Sequence, residues 1–530
     1  MSSVRHIKNL SQVISRTSIN HFSTSSIPLT MTNSNSTNST SHFESFKKTL
    51  SPLATKFYLK KDEIEIMQSP TEFYSTMKQK LLKANNRIFF ASLYLGKSEQ
   101  DLMSCIDDAM NKNPNLKVYF LLDGLRGTRE TPHNNSSASL LATLINKYGD
   151  DRISCRLYRT PAFNGWKKKL IPKRFNEGLG LQHMKIYGFD NDLILSGANL
   201  STDYFTNRQD RYYVFKSLPL TNYYFKLHQL ISSFSFKIQA IRNCSNPFAN
   251  YKLIWPKDNL SVNPTHLINK HKFLRDSSRI LDEFLHVDQN IEQKKEVTRQ
   301  NEYPTLVYPI SQFTPLFKSL NDKSTEKPTI LSIISNIKSS NLNWIFTAGY
   351  FNMLPSIKHQ LLKTPSQNSK IITASQYANG FFESKGVSSN LPKAYIHLSH
   401  KFMRSLVLYD KATQVHLLEW QKGIVTRPGG WSYHAKGFWL YEEPSKSDKI
   451  KPFLTVLGSS NYTKRAYSLD LESNVVILTR DETLQEKIGS EVDKLLDNSK
   501  EVTIEDFKDD ADKHVGFGVK IATKLLSKRL

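Results

Sequence analysis

From Phe57 onward the chain alternates between two apolar spacings. PTEFYSTMKQKLLKANN (Pro70–Asn86) repeats its apolar residues at helical distance, and RIFFASLYLG follows as a run of strand length. SEQDLMSCIDDAMNK predicts a second helix and LKVYFLLDG (Leu116–Gly124) a second strand; Ser136–Tyr148 and Arg152–Tyr158 continue the series. Strands taking turns with helices predict an α/β domain with a largely parallel sheet. A similar order recurs later. NWIFTAGYFN (Asn343–Asn352) echoes RIFFASLYLG, a helix is predicted over Pro355–Lys363, and KIITASQYA (Lys370–Ala378) reads as the following strand. Between the halves, Pro247 to about Pro304 is polar and helical in tendency, with the charge-rich EQKKEVTRQNE; it reads as a connector. No apolar run reaches the length of a membrane-spanning helix.

A length of 530 residues agrees with two domains. The expected division is a leader and linker over 1–45, a first domain over 46–250, a connector over 251–304, a second domain over 305–500 and a basic amphipathic tail over 501–530. The leader holds Arg5, Lys8 and Arg16, and the first acidic residue of the chain is Glu44. Val4, Ile7, Leu10 and Ile14 lie near helical spacing within it. That composition predicts mitochondrial targeting, while MTNSNSTNSTS (Met31–Ser41) reads as low-complexity chain too polar to pack.

Charge narrows the choice of partner. Lys and Arg number 72 against 48 Asp and Glu, a formal net charge of +24. A polyanion is implied: nucleic acid, an anionic bilayer or a phosphate-bearing substrate. The three cysteines, Cys105, Cys155 and Cys244, form no C-x-x-C pair, which argues against a disulfide framework and a cysteine zinc site. The basic run GWKKKLIPKRFNEG (Gly165–Gly178) suits an anionic headgroup or leaflet as well as a solvated loop. In Val515–Leu530, Val519, Ile521, Ala522, Leu525 and Leu526 lie on or near one helical face, with Lys520, Lys524, Lys528 and Arg529 on the other side, a form that suits a helix lying in a membrane interface as well as one packed on its own domain.

The chemistry sits in a repeat. LQHMKIYGFDNDLILSGAN (Leu181–Asn199) holds His183, Lys185 and Asp190 in an H-x-K-x4-D spacing and closes on Gly197 and Asn199. In a strand, His183 and Lys185 share one face while Met184 and Ile186 turn to the core. GGWSYHAKGFWLYEE (Gly429–Glu443) repeats the alternation with His434 and Lys436, and LTVLGSSN closes on Asn461. Asp210 follows Asn199, and Glu472 follows Asn461, at the same interval of 11 residues. The polar EEPSKSDKIKP (Glu442–Pro452) reads as a loop inserted into the second hairpin. Two such sets suit a tetrahedral phosphate. The lysines supply charge and the asparagines amide donors. One histidine attacks phosphorus, the other protonates the leaving oxygen, and Asp210 and Glu472 fix the imidazole tautomers. No cluster of acidic metal ligands is seen, and no metal or cofactor is expected.

The two H-x-K…N blocks resemble the phospholipase D superfamily. With DGLRGTR (Asp123–Arg129) and YHAKGFWLY, the first block is similar to the branch that makes phosphatidylglycerophosphate in eukaryotic mitochondria. The resemblance spans roughly Phe57–Leu495. It implies two similar α/β/α domains related by a pseudo-two-fold, with one active site at their interface. It also implies transfer of a phosphatidyl group from CDP-diacylglycerol to sn-glycerol 3-phosphate with release of CMP, at the periphery of the mitochondrial inner membrane. Position 441 is Tyr where the superfamily motif has Asp, which puts the role of that aspartate in doubt. Arg126 and Arg129 are candidate contacts to a substrate phosphate. Two other readings remain: a nuclease or DNA-end phosphodiesterase using the same site, and a non-catalytic lipid-binding scaffold.

Overall fold

In the computed structural model, residues 35–165, 167–286, 302–318, 321–445 and 449–526 are described, side chains from 42 onward. The predicted leader up to 34, Trp166, most of EQKKEVTRQNE, and Lys528 and Arg529 of the tail lie outside the described residues.

The alternation builds what it predicts. Pro70–Lys83 is a helix because Ser69 caps it, accepting the Glu72 N–H, and Pro70 opens it where no donor is needed. Its buried face is Phe73, Met77 and Leu81. These pack over Arg87–Ser92, a central strand buried along almost its whole length. The first sheet has nine strands in the order Tyr251–Ile254, Phe236–Ala240, Ile153–Tyr158, Lys117–Asp123, Arg87–Ser92, Ile186–Phe189, Asp192–Ser196, Tyr212–Lys216 and Ile64–Met67.

The second sheet repeats this path: Ser499–Val502, Val415–Trp420, Ser369–Ala374, Leu342–Ala348, Lys436–Glu442, Leu454–Gly458, Glu472–Thr479 and Thr305–Gln312, with Phe57–Leu59 added at the edge. The sheets enclose a shared core. The helices Leu218–Ser232 and Glu482–Leu496 lie within it, so Leu227 and Ile488 belong to one apolar cluster with Phe89 and Trp439. Other helices cover the outer face of each sheet.

Three expectations need correction. Each sheet is mixed rather than largely parallel: only the three strands of the βαβαβ segment run parallel, Arg87–Ser92 with its two successors and Leu342–Ala348 with its two. The strands carrying the chemistry return by hairpins, which set them antiparallel. Second, His183 and Lys185 precede their strand, which starts at Ile186. Met184 and Ile186 are nevertheless in the core as expected. Third, the domain limits shift. Asn35–Leu50 is helical and buries Phe43, Phe46 and Leu50 against the second unit, and Phe57–Leu59 pairs with Thr305–Gln312. Tyr251–Ile254 belongs to the first sheet, and Phe507 of the tail is buried in the second core. Phenylalanines spaced through a polar segment were enough to dock it.

Candidate active site

Two short pairings join the halves where the motifs lie. Ser432–Tyr433 runs parallel to Arg208–Gln209, and Gln182 forms a parallel bridge with Leu471. The His183 N–H donates to the Leu471 carbonyl at 2.9 Å, and the His434 N–H to that of Gln209 at 2.8 Å. Each histidine therefore sits beside the residue preceding the other half's carboxylate, and the side chains cross over. His183 Nδ1 bonds Glu472 Oε1 at 2.9 Å, and His434 Nδ1 bonds Asp210 Oδ2 at 2.6 Å. A carboxylate on Nδ1 keeps the proton there and leaves Nε2 for substrate. Neither half holds a working pair alone.

The lysines lie against the same groups. Lys185 Nζ donates to the His183 carbonyl at 2.6 Å. Lys436 Nζ donates to the His434 carbonyl at 2.6 Å and to Asp210 at 3.1 Å. Gly197 leaves room for both groups: a Cβ there would stand 2.4 Å from Lys436 Nζ and 2.5 Å from Asp210 Oδ1, so either would have to shift. Glu472 accepts a second bond, from the Ser459 hydroxyl at 2.5 Å. Behind Asp210, Arg211 crosses into the second half. It bonds Glu491 through Nε and Nη2, the Val456 carbonyl through Nη1 at 2.7 Å, and lies 4.0 Å over the Trp439 ring. Gly437, at φ 152°, leaves it room, since a Cβ would meet Arg211 Nη1 at 2.0 Å.

Burial sets the protonation states. It pushes both imidazoles well below the usual histidine value, and Lys185 and Lys436 push the same way, while the bond to Asp210 pulls His434 back up. Burial lowers Lys185 to about 7 against the pull of Glu472, and lowers Lys436 as well. The carboxylates differ. Burial lifts Glu472 to about 7 despite Lys185. Burial also pushes Asp210 up, but Lys436 and the His434 bond outweigh it and leave it below the usual range. Asp210 is thus the firm anion of the pair.

Asp190 is not part of this cluster. It sits at φ 48° in the turn after Ile186–Phe189, where its carboxylate accepts the N–H groups of Asn85, Asn86 and Arg87 at 2.7, 2.9 and 2.9 Å. The structure thus places the Asp190 carboxylate on this turn and not beside His183 and Lys185. Tyr441 is its counterpart: its hydroxyl donates to the Asn368 carbonyl, just before the strand Ser369–Ala374. The Tyr-for-Asp departure therefore falls on a structural position. Arg126 and Arg129 follow a strand end as expected but are already paired, Arg126 with Glu130 and Arg129 with Glu130 and Glu177.

Asn199 works through a residue that spacing did not reveal. Its Nδ2 donates to the Tyr204 hydroxyl at 3.1 Å, which lies 3.3 Å from His434 Nε2. Tyr204 and Tyr350 meet the His434 ring edge-on at 5.1 and 5.5 Å, and Arg208 lies 4.5 Å over Tyr204. Asn461 has no such tyrosine, and its Oδ1 is buried without a hydrogen-bond partner among the described residues. Tyr350 lies in NWIFTAGYFN, the stretch that echoes RIFFASLYLG of the first half.

No protein-family model matches the chain. It is 59% identical over 479 residues to the CDP-diacylglycerol–glycerol-3-phosphate 3-phosphatidyltransferase of Saccharomyces cerevisiae, covering 90% of each chain. It is 57% identical, with the same coverage, to the Saccharomyces pastorianus protein of that name. The Gallus gallus protein, whose name adds "mitochondrial", is 32% identical over 89% of this chain and 85% of its own. Among solved structures, the phosphatidylserine synthase of Haemophilus influenzae superposes at TM-score 0.65 and 18% identity, covering 92% of this chain and 99% of that one, which establishes a shared fold.

Proposed function

The chain belongs to the CDP-diacylglycerol–glycerol-3-phosphate 3-phosphatidyltransferases, and from that premise we propose how its composite centre performs the transfer. The reaction moves a phosphatidyl group from CDP-diacylglycerol to glycerol 3-phosphate, giving phosphatidylglycerophosphate and CMP. It decides among the readings that charge alone left open, against the nuclease and the scaffold.

We assign His183 as nucleophile and His434 as acid and base. His434 enters the reaction with a proton on each ring nitrogen, its charge balanced by Asp210; His183 Nε2 attacks the phosphatidyl phosphorus, the bond to the bridging oxygen breaks, and CMP departs with the proton from His434 Nε2, which leaves that ring neutral with its proton on Nδ1. The hydroxyl of glycerol 3-phosphate then gives its proton back to His434 and attacks the phosphohistidine, freeing His183. Lys185 and Lys436 steady the charge on the non-bridging oxygens. Asp210 holds the His434 proton on Nδ1 and stabilises the ring when it charges; Glu472 does the same for His183. The observation that carries this reading is the pair of exchanged bonds, His183 to Glu472 and His434 to Asp210. Asp210, as the firmer anion, suits the histidine that gives up a proton in the first half-reaction and regains it in the second.

The test is CMP release from CDP-diacylglycerol in detergent, with and without glycerol 3-phosphate, for the wild type, His183→Ala and His434→Ala. Acceptor-dependent release lost in both variants supports the scheme. Full activity in either variant refutes it. The leader composition and the chicken relative's name support delivery to mitochondria. Among the described residues no helix is long and apolar enough to cross a membrane, and we place the enzyme at the inner-membrane surface. Import of a fusion carrying residues 1–45 tests the address.

A further inference from the structure

The last described helix, Phe517–Leu526, is an unpartnered surface. Thr523 is buried against the helix Leu391–Leu408, while Phe517, Ile521 and Leu525 on the opposite side are 78, 46 and 78% exposed. Spaced four apart, they form one apolar line. Lys520 and Lys524 flank it, exposed. Beneath the helix lies a cleft of about 320 Å³ lined by His397, His400, Phe507, Lys508, His514 and Lys520. No acidic residue lines it.

We propose that this face docks on an anionic phospholipid bilayer: Phe517, Ile521 and Leu525 enter the acyl boundary, and the cleft receives a lipid phosphate. Lysine stems reach past an apolar stripe to headgroup depth, and each adds attraction to an anionic leaflet. A second copy of the chain is the poorer occupant. Three side chains on a helix of 10 residues cover far less than the roughly 1,200 Å² that a stable protein interface buries.

The position of the face also ties it to the site. The helix Leu391–Leu408 that carries His397 and His400 also carries Tyr395, which packs 5.6 Å from Tyr350, the ring standing edge-on to His434. A bilayer gripped by the C-terminal helix would thus lie near the wall of the catalytic centre, where a two-chain lipid substrate must enter. This rests on the transferase reading above.

Sedimentation of the full chain with vesicles tests the docking without reference to activity. Wild type is expected to bind phosphatidylcholine vesicles containing phosphatidylglycerol. Replacing Phe517, Ile521 and Leu525 together by Gln is expected to weaken binding by at least about a hundredfold, from the apolar burial lost. Lys508→Glu with Lys520→Glu is expected to weaken it about tenfold or more on the anionic vesicles and little on phosphatidylcholine alone. CMP release from a short-chain, water-soluble CDP-diacylglycerol should be unchanged in every variant, which also reports that they fold. Binding unaffected by either set overturns the proposal, as does wild type that ignores the vesicles. A dimer on size exclusion that the Gln variant alone dissolves, with vesicle binding intact, overturns it in favour of self-association. Failure of the soluble assay in wild type would instead count against the transferase reading.

Discussion

Asp190 provides the sharpest separation between motif and mechanism. Its carboxylate receives three backbone N–H groups from Asn85, Asn86 and Arg87, which hold the turn leading into the central strand Arg87–Ser92. Asp190→Ala deletes both acceptor oxygens and with them all three bonds. At about 1 kcal/mol net per hydrogen bond the cost is about 3 kcal/mol, and less where water reaches the freed donors. Asp190→Asn keeps one oxygen, which takes the Asn86 and Arg87 bonds, and turns an amide toward the Asn85 N–H; about 1–2 kcal/mol is expected. Asn tolerates the left-handed backbone at φ 48°, so this variant isolates the carboxylate. Urea unfolding followed by fluorescence measures the loss, and acceptor-dependent CMP release per folded molecule measures catalysis. Activity of Asp190→Asn should stay within about threefold of wild type, against the 10²–10⁴-fold that loss of an acid–base partner costs. A loss of that larger size with unchanged stability would refute the fastening role and return Asp190 to the chemistry.

Asp210→Asn should cut kcat about 10²–10⁴-fold with a smaller effect on KM, because the amide no longer holds the His434 proton; steady-state kinetics in detergent decide this, and retained kcat contradicts it. Buried Glu326, lifted by burial to about 8 from 4.5, makes stability depend on pH. Its proton is favoured in the folded state, so its stabilising share is present below 4.5 and is lost as pH rises to 8. The loss is on the order of a few kcal/mol. Urea midpoints across that range should fall with pH, and less steeply in Glu326→Gln; identical slopes contradict the assignment. Gly437→Ala should displace Arg211 and strain a backbone at φ 152°, costing about 2–4 kcal/mol and lowering kcat through Asp210; wild-type thermal stability in this variant would show that the contact relaxes freely.

Much of this was legible in the chain. The alternation of spacings located the helices and strands of both halves because each element buries one face, and burial writes its period into the sequence. His183, Lys185, His434 and Lys436 were legible because the same short pattern occurs twice, and the equal interval from Asn199 to Asp210 and Asn461 to Glu472 marked the carboxylates. The exchange of those carboxylates was not, since spacing within a half says nothing about which strand of the other half lies alongside. The antiparallel half of each sheet was hidden for a similar reason: a fully buried run has no alternation to show its direction. The place of Asp190 outside the cluster was hidden because a motif records co-occurrence, and its three N–H partners lie about a hundred positions earlier in the chain. Tyr204, Tyr350 and Arg208 carry no motif; they gather around His434 only when the halves meet.

The most direct measurement of the two-histidine mechanism is to incubate the enzyme with CDP-diacylglycerol labelled in the phosphatidyl phosphorus, without acceptor, and quench rapidly. The account predicts acid-labile, base-stable label on the protein, present in wild type and in His434→Ala and missing in His183→Ala. Adding glycerol 3-phosphate should discharge it from wild type into phosphatidylglycerophosphate. Label present in wild type and His183→Ala and missing in His434→Ala would reverse the two roles. No protein-bound label in any form, with CMP appearing only when acceptor is present, would contradict the covalent intermediate and replace it with a single direct displacement.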